Sequence, residues 1–180
     1  MAHPEQQAVC RSLQARFPQY FRGVKVLDCG ALDINGSNRP LFEASHYTGI
    51  DVGVGPNVDL VYKTHEFMAR DGLYDTIIST ECFEHDQFWE HSLKNIVRML
   101  RSEGLFLFTC ATTGRPEHGT RRTTPRDSPL TVEQGDWGDY YRNLTEADIR
   151  QAIPIETLFS IYEFSTNEHS HDLYFWGIRR

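Results

Sequence analysis

No run in the chain is apolar over anything near the ~20 residues that a membrane-spanning helix needs, so no such helix and no membrane partner are expected. The opening residues, Met1-Ala-His-Pro-Glu-Gln-Gln, hold no basic segment leading into an apolar one, and a secretory leader is not expected. Cysteine is scarce. Cys10, Cys29, Cys82 and Cys110 are the whole set, and no two form a Cys-x-x-Cys pair, which removes the common zinc and thioredoxin-like signatures. They are expected to be reduced, buried, small apolar residues of a cytoplasmic protein. Positive charge is also in deficit: 18 Lys and Arg stand against 25 Asp and Glu, a net of −7. Binding to nucleic acid irrespective of sequence needs a basic surface, so nucleic acid is not the expected partner, although Arg121-Arg122 and Arg126 form a local basic patch. There is no internal repeat and no low-complexity tract.

What is present suits one soluble domain over residues 1–180, long enough to bury a sizeable core, with an ordinary 39% apolar and 24% charged content. Val9, Leu13 and Phe17 recur every fourth residue and predict a helix from Glu5 to Phe17, within an N-terminal segment 1–22 and stopped by Pro18. Strands are predicted at Lys25–Cys29, Tyr47–Asp51, Val58–Tyr62, Tyr74–Thr80 and Leu105–Cys110. Short helical pieces are predicted at Arg39–Ala44 and His65–Arg70. The clearest helix is Gln87–Arg101, with Phe88, Leu93, Ile96, Val97 and Leu100 on one face. Residues 112–141 show no periodicity and are rich in glycine and proline; an insertion of this length is usually functional or disordered. Thr145 reads as an N-cap, with Asp148 three residues later in the manner of a capping box. Ile155–Phe164 and Leu173–Arg179 are expected to close the domain as an antiparallel pair. Strands alternating with helices imply an α/β, doubly wound, mostly parallel Rossmann-like sheet with an antiparallel C-terminal edge strand.

Two strands carry the first chemical hint. Val24-Lys-Val-Leu-Asp-Cys-Gly30 ends in an aspartate, a cysteine and a glycine, and Tyr47-Thr-Gly-Ile-Asp51 ends in an aspartate. Ligands of open α/β sheets bind just beyond the strands' carboxyl ends. Gly30 lets the backbone come close to a ligand, and Asp51 can accept hydrogen bonds from ribose hydroxyls. A nucleoside-containing cofactor is therefore expected. Gly30-Ala-Leu-Asp-Ile-Asn-Gly36 does not supply Gly-x-Gly-x-x-Gly, so a nicotinamide dinucleotide fits poorly.

The order of motifs resembles class I S-adenosylmethionine-dependent methyltransferases. Val24–Gly30 is similar to that family's first motif and Asp51 to its ribose-binding acid. Tyr74-Asp-Thr-Ile-Ile-Ser-Thr-Glu-Cys-Phe-Glu-His85 is similar to its fourth strand and the segment after that strand. Leu100-Arg-Ser-Glu-Gly-Leu-Phe-Leu-Phe-Thr109 is similar to its passage into strand five. The likeness covers Val24 to Cys110 well and the terminal hairpin more loosely. The family's later loop glycines are replaced by Leu32 and Ile34, with an Asn35-Gly36 turn slightly further on. Arg101-Ser-Glu-Gly104 lacks the usual proline and one glycine, and Lys63 stands near where an acid often meets the adenine.

The resemblance implies S-adenosylmethionine as cofactor, held by Asp28, Gly30, Ala31, Asn35, Asp51, Val52, His65, Thr80 and Glu81. It implies a methyl transfer to a hydroxyl or amine of a small molecule of the sugar or secondary-metabolite kind. His85, near the transferred methyl, and His118, in Arg115-Pro-Glu-His-Gly119, are the candidate general bases, since an imidazole titrates near neutral pH. His118 reads equally well as a solvated loop residue. Trp137, Tyr140 and Tyr141 are candidates to wall the substrate pocket, with the insertion 112–141 as its cover, or to anchor that insertion by packing. Asp86 is read as a helix cap. Ligation of a metal by Glu81, Glu84, His85 and Asp86 is weighed and set aside, because no spacing there is a recognised ligand set, and no metal is assigned. Two other readings stay open: a non-catalytic protein of this fold that binds a partner, and a nucleic-acid methyltransferase. Against the latter stand the −7 charge and Ser79-Thr-Glu-Cys where base-modifying enzymes carry an Asn/Asp-Pro-Pro-Tyr-like motif.

Overall fold

The computed structural model describes residues 4–180, so the first three residues of the 1–22 segment lie outside it. Helix α1 spans Pro4–Arg16 and strand β1 Lys25–Cys29; strands β2 and β3 span His46–Asp51 and Leu60–Val61. Strand β4 is Tyr74–Thr80, helix α2 Trp89–Met99, and strand β5 Leu100–Ala111. Helices α3 (Glu146–Ala152) and α4 (Ile155–Leu158) lead into strands β6 (Phe159–Asn167) and β7 (Asp172–Arg179). The seven strands form one sheet in the order β3-β2-β1-β4-β5-β7-β6. The five from β3 to β5 are parallel; β7 runs antiparallel to both its neighbours. This is the expected doubly wound sheet, with the antiparallel strand one place in from the edge.

Alternation along the buried strands sends neighbouring residues to opposite faces. Leu27, Ile77, Phe106 and Phe108 face a core closed by Trp89, Leu93 and Ile96 of α2, Ile149 of α3 and Ile155 of α4. Val26, Ile78, Leu105 and Leu107 face a second core closed by Cys10 and Leu13 of α1 together with Phe21 and Phe42. Helix α1 starts at a proline, which is favourable at the first helical position, and ends before Pro18. The Thr145–Asp148 capping box forms with both reciprocal bonds.

Several boundaries differ from expectation. Helix α2 ends at Met99, because Leu100 already pairs with Tyr74 and opens β5. The chain then turns sharply: Glu103 has a φ of 60°, and a Cβ on Gly104 would lie 2.9 Å from the carbonyl oxygens of Arg101 and Asp75. Ile155–Leu158 is a helical turn, where the sequence predicts a strand. Pro154 ahead of it leaves that turn intact because a helix's first turn needs no N–H donor there. Strand β3 has only two residues, and Arg39–Leu41 and Thr64–Glu66 are single 3₁₀ turns. The links between β1, β2 and β3 thus carry no α-helix. Residues 112–141 contain three short 3₁₀ turns and no other regular element. Among the described residues no helix is long and apolar enough to cross a membrane. All four cysteines are free. Burial raises their thiols above the ordinary range, Cys10 to about 12.

Candidate functional site

The chain leaves β1 toward β2 and β3 on one side and resumes at β4 on the other, so the carboxyl ends of β1 and β4 part at a topological switch point. A cleft opens there. Its walls are the loop after β1, the tip of β2, the segment after β4, and residues 127–137 of the long insertion.

Asp51 organises the first wall. One carboxylate oxygen accepts the N–H of Leu32 at 2.9 Å and the other accepts the N–H of Val52 at 2.7 Å. Burial pushes its carboxyl above the ordinary range, and these two N–H bonds pull it back. The loop it ties down is further held by the N–H groups of Gly30 and Ala31, which both donate to Ile50 O at 3.0 Å. The Leu32 side chain packs on Gly55: a Cβ there would lie 2.3 Å from Leu32 Cδ1. The bulky residue that replaces a family glycine is thereby packed against the next loop.

Asp28 is buried beneath this loop. Its Oδ2 accepts the Tyr47 hydroxyl at 2.6 Å and the Asn57 amide at 3.4 Å, while Oδ1, also buried, has no partner. Burial raises its carboxyl to about 7, against the pull of the Tyr47 hydrogen bond. Asn57 also donates to Ala31 O at 2.8 Å, so one side chain fixes both the loop and the acid.

Gly30 lines the cleft with a φ of 81°, and a Cβ there would meet Cys82 Sγ at 2.5 Å. The approach that requires glycine is therefore to the segment after β4. Just before it, Thr80 ends β4, and its hydroxyl accepts from Asn38 at 3.3 Å. Glu81 comes next, with a φ of 53°; its N–H donates to Thr109 O and its carboxylate accepts the Thr109 hydroxyl, both at 2.8 Å. Asp86 accepts the N–H of Phe88 and the hydroxyl of Ser92, tying down the approach to α2.

Behind these residues lies a dense polar group. Glu84 and His85 form a 3₁₀ turn with Phe83 and are both buried. The rings of His85 and His118 meet edge to face at 5.0 Å, and Tyr141 lies 5.5 Å from the first and 5.0 Å from the second. Burial raises Glu84 to about 8, with Glu81 adding to the shift; burial lowers both imidazoles, His85 strongly. The Trp137 indole N–H donates to His85 O, so the insertion is fastened to this group.

Of the residues singled out from sequence, Asp28, Gly30, Ala31, Asp51, Val52, Thr80, Glu81, His85 and Trp137 line the cleft. The others lie around it. The carbonyl of Asn35 accepts from Gln7, while Ile34 and Gly36 beside it line the cleft. His65 packs 4.3 Å from Phe88 and 6.2 Å from Trp137. His118 and Tyr141 sit behind His85, and Tyr140 packs against the larger core. Sequence reasoning missed Tyr47, Asn57 and Asn38, which act through long-range contacts. It also missed Ser128 and Leu130, which line the cleft from the aperiodic insertion. Only Asn57 had a local signal, since it comes directly after Gly55-Pro56 and has a φ of 70°.

No protein-family model matches the chain, and no curated protein matches it. Solved structures match its fold. The 1,6-didemethyltoxoflavin-N1-methyltransferase of Burkholderia thailandensis, solved with 1,6-didemethyltoxoflavin and S-adenosylhomocysteine, is 16% identical with a TM-score of 0.66, over 98% of this chain and 78% of that one. The phosphoethanolamine N-methyltransferase 2 of Haemonchus contortus, solved with phosphomonomethylethanolamine and S-adenosylhomocysteine, is 13% identical with a TM-score of 0.64, over 96% of this chain and 52% of that one. The cyclase SpnF is 15% identical with a TM-score of 0.57, over 87% of this chain and 60% of that one. The fold is that of class I S-adenosylmethionine-dependent methyltransferases.

Proposed function

We propose that the chain is a methyltransferase that uses S-adenosylmethionine and methylates a hydroxyl or amine of a small molecule. The observation that carries this is Asp51, a half-buried carboxylate clamped by two backbone N–H groups and lining the switch-point cleft. A second observation tests the fit: the buried Oδ1 of Asp28 has no partner and lies where a ligand ammonium would supply one. Two of the structural neighbours are methyltransferases solved with S-adenosylhomocysteine.

The cofactor would supply an electrophilic methyl on a sulfonium, so the protein's task is chiefly orientation. Asp51 would accept the ribose hydroxyls and Asp28 the amino group, with Thr80 and Glu81 alongside. The acceptor's proton would pass to His85, which faces the cleft as a neutral imidazole, or through it to His118. The insertion 112–141, which brings Leu130 and Trp137 to the cleft, would cover the acceptor. Trp137 would stand over it, with Tyr140 and Tyr141 behind.

Calorimetric titration with S-adenosylmethionine and, separately, S-adenosylhomocysteine tests the reading. Micromolar binding of both supports it and leads to a screen of small hydroxyl and amine acceptors. Binding of neither would overturn it. Binding without transfer to any acceptor would favour the non-catalytic reading, which the altered glycine loop at Leu32 and Ile34 motivates.

A further inference from the structure

One group of side chains behind the cleft, which His85 alone of them lines, is left unexplained by cofactor binding. Glu84 is 0% exposed and neither carboxylate oxygen has a hydrogen-bond partner. His85 is 4% exposed and neither ring nitrogen has one. Their backbones are held by other means: Arg142 N–H donates to Glu84 O at 2.9 Å, and Trp137 donates to His85 O. His118 comes from the loop after β5 with Nδ1 3.1 Å from Pro116 O. A carbonyl only accepts, so Nδ1 carries the proton, and Nε2, which is buried and without a partner, presents a lone pair. One donor atom from each of Glu84, His85 and His118 lies within 4.8 Å of the other two.

We propose that Glu84, His85 and His118 bind a divalent first-row transition-metal cation such as Zn²⁺, with its open coordination position toward the cleft. Two imidazoles and one carboxylate are a donor set for such ions, whereas Mg²⁺ and Ca²⁺ favour oxygen alone. Bonds of about 2.0–2.2 Å around a tetrahedral ion set ligand atoms roughly 3.3–3.6 Å apart, so the group would draw in by up to about 1.5 Å. The Nδ1–H to Pro116 bond is the arrangement of a metal-binding histidine, in which a carbonyl fixes the tautomer and orients the ring. A proton shared between Glu84 and His85 does not account for the group, because Glu84 Oε1 and His85 Nε2 are 4.0 Å apart. A dication also offsets a carboxylate that is otherwise buried without a partner. The loop backbone closes over His85 from one side, where a Cβ on Gly119 would come within 2.6 Å of the ring, and His85 borders the cleft on the other.

This inference rests on the ligand atoms and does not need methyl transfer. If both hold, the coordinated imidazoles no longer accept a proton, and an acceptor hydroxyl would lose its own to solvent once bound to the cation. The test uses untagged full-length protein stripped with a chelator and titrated with Zn²⁺ and with Co²⁺. Bound metal is counted by elemental mass spectrometry, and the Co²⁺ form is followed by visible absorption. The expected result is about one equivalent per chain, a higher Tm, and Co²⁺ bands of a four- or five-coordinate site. His118→Ala and Glu84→Gln should each weaken uptake by at least roughly tenfold. His91→Ala, exposed on α2, should leave it unchanged. Wild-type protein that takes up no metal at micromolar concentration would overturn the proposal, as would His118→Ala binding metal like wild type. His118 sits in a loop, so its variant remains informative if Glu84→Gln fails to fold. Metal uptake lost while S-adenosylhomocysteine still binds would remove this site alone; the converse would remove the cofactor reading alone.

Discussion

Asp51→Ala separates two jobs that one carboxylate performs. In the free protein it accepts the Leu32 and Val52 N–H groups, at 2.9 and 2.7 Å. A hydrogen bond to a charged group contributes about 1.5–3 kcal/mol, and a donor that regains water on losing its partner recovers part of this. Both residues are partly exposed, so the variant should lose about 1.5–3 kcal/mol of stability in all rather than twice that. Ligand binding should suffer separately. If the carboxylate takes ribose hydroxyls, their loss costs a further few kcal/mol, and with tenfold per 1.4 kcal/mol the Kd for S-adenosylhomocysteine rises about 10- to 100-fold or more. Asp51→Asn keeps one acceptor but turns an amide donor toward the other N–H, so it should fall between wild type and alanine in stability. Urea denaturation gives the first quantity. Calorimetry below the unfolding range gives the second, and the rise of Tm with added ligand checks it independently. A folded Asp51→Ala protein with the wild-type Kd would refute the reasoning, since Asp51 would then serve the loop alone.

Three further outcomes rest on particular contacts. Gly30→Ala should cost about 2–5 kcal/mol, combining roughly 1–2 for a left-handed residue with about 1–3 for overpacking. Adding Cys82→Gly should return only the overpacking share, because the obstructing Sγ and Cβ belong to Cys82, and strictly additive losses in urea melts would disprove the contact. Asp28 holds its proton to about 7 in the folded state, above the 3.8 of the unfolded chain. Its contribution to stability is therefore greatest below pH 4 and declines up to pH 7, at no more than about 1.4 kcal/mol per pH unit. Tyr47 and Asn57 donate to this carboxylate while Asp51 and Arg39 act on it through charge, so Asp28→Asn is the comparison that isolates it. Wild type and Asp28→Asn showing the same slope of stability between pH 5 and 7 would rule the shift out. Thr145→Ala removes the cap of α3 and should cost about 1 kcal/mol, a fall of about 2–4 °C in Tm, with an unchanged melt as the contrary result.

The parallel strands are legible in the sequence because burial on both faces leaves little choice of residue. Lys25–Cys29 and Tyr74–Thr80 are apolar runs closed by polar residues, and both have the bounds read from sequence. Boundaries shift where one residue type serves two elements. Ile155, Leu158 and Phe159 suit a helical turn or a strand, and the packing of Ile155 and Phe159 into the α2 core decides it. The start of β5 is hidden because Glu103 takes a left-handed φ that nothing nearby announces.

The candidate site divides along a similar line. Asp28 and Asp51 stand at strand ends, so a local pattern finds them. Tyr47 and Asn57, which set the state of Asp28, reach it only through the sheet and the loop after β2. Gly30 stands out in the sequence for its conformation but not for its contact with Cys82, because φ is local and Cys82 is not. The strongest case is the Glu84, His85 and His118 group. Adjacent in sequence, Glu84 and His85 give no ligand spacing, and on that ground the sequence alone sets a metal aside. The fold supplies what spacing lacks. The 3₁₀ turn Phe83–His85 lets both neighbouring side chains face inward, and a loop after β5 lays His118 against them, its Nδ1 already committed to Pro116 O. A recognised spacing is a signature only of ligands borne on one local element. Where the third donor arrives from another strand's loop, the signs are the tautomer and the missing partners, and both can be seen only once the chain is folded.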